Sequence, residues 1–332
     1  GRPDLAQKKG SLTKEDLAGW LFDSLRNKIM PLPDDVIVYP AHGAGSACGK
    51  NMSSETFDTL GNQKKTNYAL RADMTKEEFI VEVTTGLKPP PQYFGNNVRM
   101  NKGINTSIDE ILKKGVTPID ADTFKEMSEQ KDVLVIDTRS KEEYTEEGTV
   151  PGAWFIGVDG SFAPWVGTLI KDINQKIIFI AEGDREQEVV TRFSRVGYDN
   201  ILGFLRGGMH SWKAAGHEIS KIGSMSAIQF ANRLKEGSLE VPLDVRKESE
   251  YLSEHVVGVE NFPLDFIQAN FSEIKPDKEY FLHCASGYRS LIAASIFQAN
   301  GVSNVTDVRG GFIDIKDSGV ALTDYVCPTT LL

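Results

Sequence analysis

From about residue 116 onward, short runs of consecutive apolar residues alternate with stretches of helical spacing. Leu134-Val135-Ile136, Ile177-Ile178-Phe179-Ile180 and Tyr280-Phe281-Leu282 are apolar at every position, not at every second one. Strands of that kind are covered on both faces, and helical stretches between them predict parallel sheets in an α/β fold. Ligands of such sheets bind beyond the carboxyl ends of the strands. The first part of the chain reads as α/β with a different rhythm. Ser11–Ile29 carries Leu12, Leu17, Trp20, Leu21, Leu25 and Ile29 as one apolar helix face. Asp35–Tyr39 reads as a short buried-type strand, and Thr75–Val83 as a helix capped by Thr75 with Glu78 three residues on.

The alternating region repeats itself. Leu134–Arg139 parallels Pro242–Arg246, and Val150–Ala153 parallels Val256–Val259. Ile177–Ile180 parallels Tyr280–His283, and Leu205–Met209 parallels Val308–Phe312. The expected domains are therefore 1–110, 116–220 and 224–332, with the polar, Gly-containing stretch Lys102–Lys114 as an inter-domain linker holding one short helical turn.

Composition narrows the function classes. The net charge is −10 with no strong basic block, so neither nucleic acid nor an anionic membrane is an expected partner. No run approaches the roughly 18 apolar residues of a membrane span. Three cysteines, Cys48, Cys284 and Cys327, lie far apart and do not suggest a disulfide framework. With no signal peptide visible, the cytoplasm is the expected compartment. A start at Gly1 reads as a fragment or a processed product.

The candidate chemistry centres on Cys284-Ala285-Ser286-Gly287-Tyr288-Arg289, between an apolar strand and the helix-compatible run Leu291–Phe297. A lone cysteine at a strand end is ordinarily a small buried hydrophobe. Here the helix start offers backbone N–H groups and a partial positive charge, Arg289 adds a full one, and Gly287 permits positive φ. Such settings lower a thiol pKa from about 8.5 into the range of roughly 3.5–7.5. The Cys-x4-Arg spacing turns the reading towards a nucleophile facing an anion cradle.

These residues resemble the six-residue active loop of the rhodanese sulfurtransferases. Leu243-Asp244-Val245-Arg246, His255-Val256-Val257-Gly258 and Arg309-Gly310-Gly311-Phe312 resemble flanking motifs of that family. The loops of the nearest chemical rivals, the cysteine phosphatases and arsenate reductases, carry one residue more. The resemblance implies Cys284 and Arg289 as catalytic residues, and Ala285, Ser286, Gly287, Tyr288 and Arg246 as substrate-binding residues. His283 points to the opposite face from its neighbour and is expected behind the sheet. Asp244 and Arg246 are expected to position the loop by charge-assisted hydrogen bonds. No cradle surrounds Cys327. In the middle repeat, sliding Gly197 onto Gly301 without gaps puts Ile180 at the Cys284 position and brings Glu182 and Asp184 into the loop. A rhodanese-like domain without a nucleophile, inactive in sulfur transfer, is the expectation there.

Gly1-Arg2-Pro3-Asp4-Leu5 and Val38-Tyr39-Pro40-Ala41-His42-Gly43 resemble the C-terminal half of a metallo-β-lactamase-fold protein of the persulfide dioxygenase and glyoxalase II branch. That resemblance implies a partial αββα domain with His42 as a metal ligand once upstream ligands are supplied. Iron or zinc would then be a cofactor of a longer parent chain only. Cys48, without an arginine at loop spacing, reads as structural.

The expected activity is rhodanese-type sulfur transfer. Sulfane sulfur would pass from thiosulfate or glutathione persulfide to a thiol, sulfite or cyanide through a Cys284 persulfide, with no cofactor. Small sulfur-containing anions and low-molecular-weight thiols such as glutathione are the expected partners, and homo-oligomerisation is left open. Two alternatives stand beside this reading. One is the downstream part of a persulfide dioxygenase–rhodanese fusion; the other is a non-catalytic rhodanese binding module.

Overall fold

The computed structural model describes residues 12–40, 55–85, 100, 103 and 107–327. The chain divides into two compact units, Gly1–Gly95 and Asn96–Leu331. His42 and Cys48 lie outside the described residues, as do Gly1–Leu5.

In the first unit, helix α1 (Lys14–Ser24) starts at a Thr13–Asp16 capping box and runs into a π-helical turn, Leu25–Ile29. The strands β1 (Ile37–Val38) and β2 (Asp58–Thr59) pair antiparallel, followed by α2 (Leu60–Thr66) and α3 (Lys76–Thr84). The Thr75–Glu78 capping box is present at the start of α3, as the sequence suggests. Ala18, Phe79 and Val83 form a small core, with Leu21, Phe22 and Leu25 packed on it. Arg26 donates to the carbonyls of Ala69 (3.1 Å) and Arg71 (2.8 Å), tying the π-helical turn to the segment before α3.

Two expectations change in this unit. The apolar stripe of the first helix is narrower than the periodicity suggests. Leu17 and Ala18 are buried, whereas Trp20 is 51% and Ile29 37% exposed. The strand spans only Ile37–Val38 and is exposed, because a two-residue ribbon has no second layer over it among the described residues.

Within the expected linker, the described residues from 108 onward form α4 (Ile108–Gly115), while Lys102 and residues 104–106 lie outside the described residues. Ile111 is buried, and a Cβ on Gly115 would stand 2.9 Å from Val190, so the helix lies flush on the domain that follows. That domain holds β3 (Pro118–Ile119), α5 (Ala121–Ser128), β4 (Val133–Asp137), α6 (Lys141–Glu147) and β5 (Trp154–Phe155). It continues with α7 (Phe162–Leu169), β6 (Lys176–Ile180), α8 (Glu186–Ser194), β7 (Ile201–Leu205) and α9 (Gly208–Ala214). The strands form one parallel sheet in the order β3-β7-β6-β4-β5.

The last domain repeats this plan with β8 (Gly223–Met225), α10 (Ala227–Lys235), β9 (Val241–Asp244), α11 (Glu248–Ser253) and β10 (Glu260–Asn261). Then come α12 (Ile267–Asn270), β11 (Tyr280–His283), α13 (Tyr288–Ala299), β12 (Val305–Val308) and α14 (Gly311–Lys316). Its parallel order, β10-β9-β11-β12-β8, is the middle sheet's order strand for strand.

Helix α13 joins the two sheets. Every residue from Ser290 to Phe297 is buried, the pattern of a helix covered all round. One side faces its own sheet, and the other faces β5 of the middle domain, where the Phe155 N–H donates to Ser295 Oγ at 2.9 Å. Gln298 extends this seam by donating from Nε2 to the Lys221 carbonyl. The helix that follows the cysteine loop is thereby anchored from both domains.

Candidate active site

Cys284 follows the last residue of β11, at the carboxyl end of the central strand, and is 1% exposed. Gly287 takes φ +94°, which turns the chain into α13 and brings its own N–H to 3.2 Å from Cys284 Sγ. Ser290 Oγ, in the first turn of α13, lies 3.6 Å from the same sulfur. The sulfur thus rests over a helix start with hydrogen-bond donors aimed at it, an arrangement that favours an anion. The turn Arg309–Phe312 holds the other side of the loop. Phe312 N–H donates to the Cys284 carbonyl at 2.6 Å and Ile313 N–H to the Ala285 carbonyl at 3.1 Å. Gly311 sits so close that a Cβ there would stand 2.5 Å from the Cys284 oxygen.

The basic residues of the site are less free than the sequence suggests. Arg289 makes a two-pronged ion pair with Glu250 of α11, at 2.6 and 2.8 Å. Burial pushes the Glu250 carboxyl up, but the hydrogen bonds and charge of Arg289 outweigh it and hold the group below its ordinary value. Arg289 therefore clamps the loop to α11 with much of its charge compensated. Arg246 is 5% exposed and is bound by Asp244 (Nη2 to Oδ2, 2.6 Å) and by the Glu254 carbonyl. Its guanidinium lies over the Phe312 ring at 3.9 Å. Arg246 thus braces the residue whose N–H holds Cys284, and its bonds are spent on the protein.

Ser286 and Tyr288 face the middle domain. Tyr288 donates its hydroxyl to the Gly157 carbonyl at 2.8 Å, and its ring meets Phe155 edge-on. Together with Lys141, Gly157 and Gly160 they line a cleft of about 270 Å³ between the two domains. His283 is wholly buried between the Phe230 and Phe312 rings, and burial lowers its pKa. It packs behind the loop, as expected. His255 stacks on Tyr251 and is held by that residue's carbonyl, while Cys327 is exposed near the end of the chain.

The middle loop sits one residue away from the gapless match. Asp137 pairs with Ile180 exactly as its counterpart Asp244 pairs with His283, so Ile180 matches His283 and Ala181 matches Cys284. The gapless comparison was one residue out because the stretch from this loop to Gly197 is one residue shorter than that from Cys284 to Gly301. Asp184, at φ +66°, then stands in the place of Gly287, and Arg185 in the place of Tyr288. Arg185 is held by Asp159 and Glu188. Glu182 accepts from the Ser140 N–H at 2.7 Å and shares a hydrogen bond with Glu143, whose carboxyl burial and that neighbour push up. Glu182 is thus engaged in local bonds, and the middle loop lacks both the sulfur and the glycine of its counterpart.

The chain belongs to the rhodanese-like domain family, whose model matches residues 120–215 and 226–318. It is 34% identical over 113 residues to the putative sulfur carrier protein YrkF of Bacillus subtilis, covering 33% of this chain and 58% of that one. It is 25% identical over 92 residues to a sulfurtransferase of Allochromatium vinosum, covering 28% of this chain and 86% of that one. Among solved structures, a metallo-beta-lactamase from Staphylococcus aureus subsp. aureus COL is similar with a TM-score of 0.47 and 29% identity. That likeness covers 61% of this chain and 55% of the other. The chain thus spans little more than half the length of YrkF and of the S. aureus protein.

Proposed function

We propose that the last domain transfers sulfane sulfur through a persulfide on Cys284. The observation that carries the reading is Cys284 Sγ at the mouth of α13, with the Gly287 N–H at 3.2 Å and Ser290 Oγ at 3.6 Å. The family membership and the sulfurtransferase and sulfur-carrier relatives support sulfur transfer as the general chemistry.

In the first half-reaction the Cys284 thiolate attacks the outer sulfur of thiosulfate or of glutathione persulfide. The donor's S–S bond breaks, its electron pair leaves with sulfite or the glutathione thiolate, and a Cys284 persulfide remains. In the second, a thiol, sulfite or cyanide attacks the outer persulfide sulfur and the Cys284 thiolate leaves. Backbone N–H groups of residues 285–289 stabilise the sulfur anion in both halves. Arg289, paired to Glu250, keeps the loop in shape and adds a partly compensated positive charge. A sulfur only 1% exposed suits a small terminal sulfur atom better than a bulky electrophile. Ser286 and Tyr288 of the loop line the cleft, and donor and acceptor are assigned to that side of the loop.

The middle domain, with Ala181 in place of the cysteine, acts as a packing partner for α13 and as a wall of the cleft. The two half-reactions as written use only Cys284, the loop N–H groups and the sulfur donor and acceptor.

The test is turnover of thiosulfate and of glutathione persulfide by the wild-type chain and by Cys284→Ser. Loss of both activities is expected, because a hydroxyl stays protonated at neutral pH and carries no sulfane sulfur. Near-native turnover by Cys284→Ser would refute the assignment.

A further inference from the structure

Beneath the cysteine loop lies a buried carboxyl that the sulfur-transfer mechanism leaves unused. Asp307 sits on β12, level with Leu282 of β11 and Ser224 of β8, and is 2% exposed. Its Oδ1 has no hydrogen-bond partner among the described residues. The Ser290 hydroxyl, itself fully buried, bears on this carboxyl and also lies 3.6 Å from Cys284 Sγ. A hydroxyl has one proton to donate. If the carboxyl is ionised it competes with the sulfur for that proton; if the carboxyl is protonated it donates to Ser290 Oγ and leaves the hydroxyl proton to the sulfur.

We propose that Asp307 is a positioning residue that sets the direction in which Ser290 donates, and so decides whether Cys284 sulfur receives a second hydrogen bond beside that from Gly287. The proposal rests on the reading of Cys284 as the sulfur carrier. Burial pushes the Asp307 carboxyl up to about 7, against the opposing effects of the Ser290 hydrogen bond, of Lys141 on α6 of the middle domain and of Arg309 at the end of its own strand. The neighbours level with it on β11 and β8, Leu282 and Ser224, carry no charge. The sign follows. Below that value the proton stays on Asp307, Ser290 donates to sulfur and the thiolate is favoured. Above it Ser290 turns to the carboxylate and the sulfur loses that hydrogen bond.

The experiment is the pH profile of Cys284 alkylation by iodoacetamide, read on the Cys284 peptide by mass spectrometry, with thiosulfate turnover measured on the same preparations. Wild type should show an added inflection near pH 7, which Asp307→Asn removes because an amide does not titrate. Ser290→Ala should remove it too and raise the thiol midpoint by about one pH unit, the size of a hydrogen bond to a charged group. Adding Asp307→Asn to Ser290→Ala should change nothing further. The proposal is overturned if Asp307→Asn leaves the profile unchanged, or if it acts equally with and without Ser290. Where Asp307→Asn does not fold, Ser290→Ala alone decides, and an unchanged profile overturns the proposal. A wild-type chain without sulfur transfer would instead defeat the proposed function, whatever the profile.

Discussion

Asp244→Asn should destabilise the last domain far more than a single surface ion pair would allow. Asp244 is 0% exposed and binds Arg246 through both carboxylate oxygens, with Nε at 3.0 and 2.9 Å and Nη2 at 2.6 Å. The substitution leaves a guanidinium 5% exposed with no counter-ion. Removing one partner of a buried pair costs about 3–5 kcal/mol, because the remaining charge stays desolvated. With a urea m-value of about 2 kcal/mol/M, the midpoint should fall by roughly 2 M. Cys284 is buried, so its reactivity towards a thiol reagent along a urea series, read on its own peptide, reports this domain directly. The four tryptophans, Trp20, Trp154, Trp165 and Trp212, lie outside it, so their fluorescence serves as the internal control and should shift less. Because Arg246 underlies the Phe312 ring, and Phe312 N–H holds the Cys284 carbonyl, sulfur transfer should fall together with stability. The double variant Asp244→Asn/Arg246→Met, which removes the stranded charge and keeps an apolar contact under Phe312, should recover most of the loss. A destabilisation below about 1 kcal/mol would mean that Arg246 reaches water in the variant, and the bracing account would fail.

Further outcomes follow from the same geometry. Ala181→Cys in a Cys284→Ser background should show no thiosulfate turnover above background, since Asp184 replaces the loop glycine and Arg185 is engaged by Asp159 and Glu188; robust turnover would show that a sulfur alone restores the loop. Gly160→Ala places a methyl group inside the Tyr288 ring, so about 1–3 kcal/mol of overpacking and a displaced Tyr288 are expected, seen as lower thermal stability and weaker turnover. Glu250 has a lowered native pKa, so its pairing with Arg289 stabilises the fold above the unfolded-state value and is lost as pH falls through the native one. Glu250→Gln should therefore flatten the acid side of a stability–pH curve, and an unchanged curve would argue that Arg289 is not clamped there.

The cysteine loop was legible because cysteine, glycine and arginine at fixed spacing between an apolar strand and a helix leave little else to do. The duplicated parallel sheets were legible for a related reason, since strands covered on both faces are apolar at every position. What escaped was set by partners distant in sequence. Arg289 reads as a free charge until Glu250, on another helix, is seen to hold it. Lys102–Lys114 reads as a linker because its polar residues outnumber Ile108, Ile111 and Leu112, yet Gly115 lets that short helix seat against Val190. Ile180 was matched to Cys284 by equal spacing, whereas pairing with Asp137 fixes the register and gives the place to Ala181. Asp307 carries no sequence signal, because a single aspartate in Val305–Val308 shows its meaning only once the Ser290 hydroxyl acts on it.

The central claim is that Cys284 carries the sulfur. The direct measurement is the mass of the chain, and then of its Cys284 peptide, after brief exposure to a sulfane donor and removal of excess reagent. The account predicts the added mass of one sulfur atom on that peptide, released by a low-molecular-weight thiol and absent from Cys284→Ser. An added sulfur that persists in Cys284→Ser, or one that resides on Cys327 or Cys48 in the wild-type chain, would contradict it.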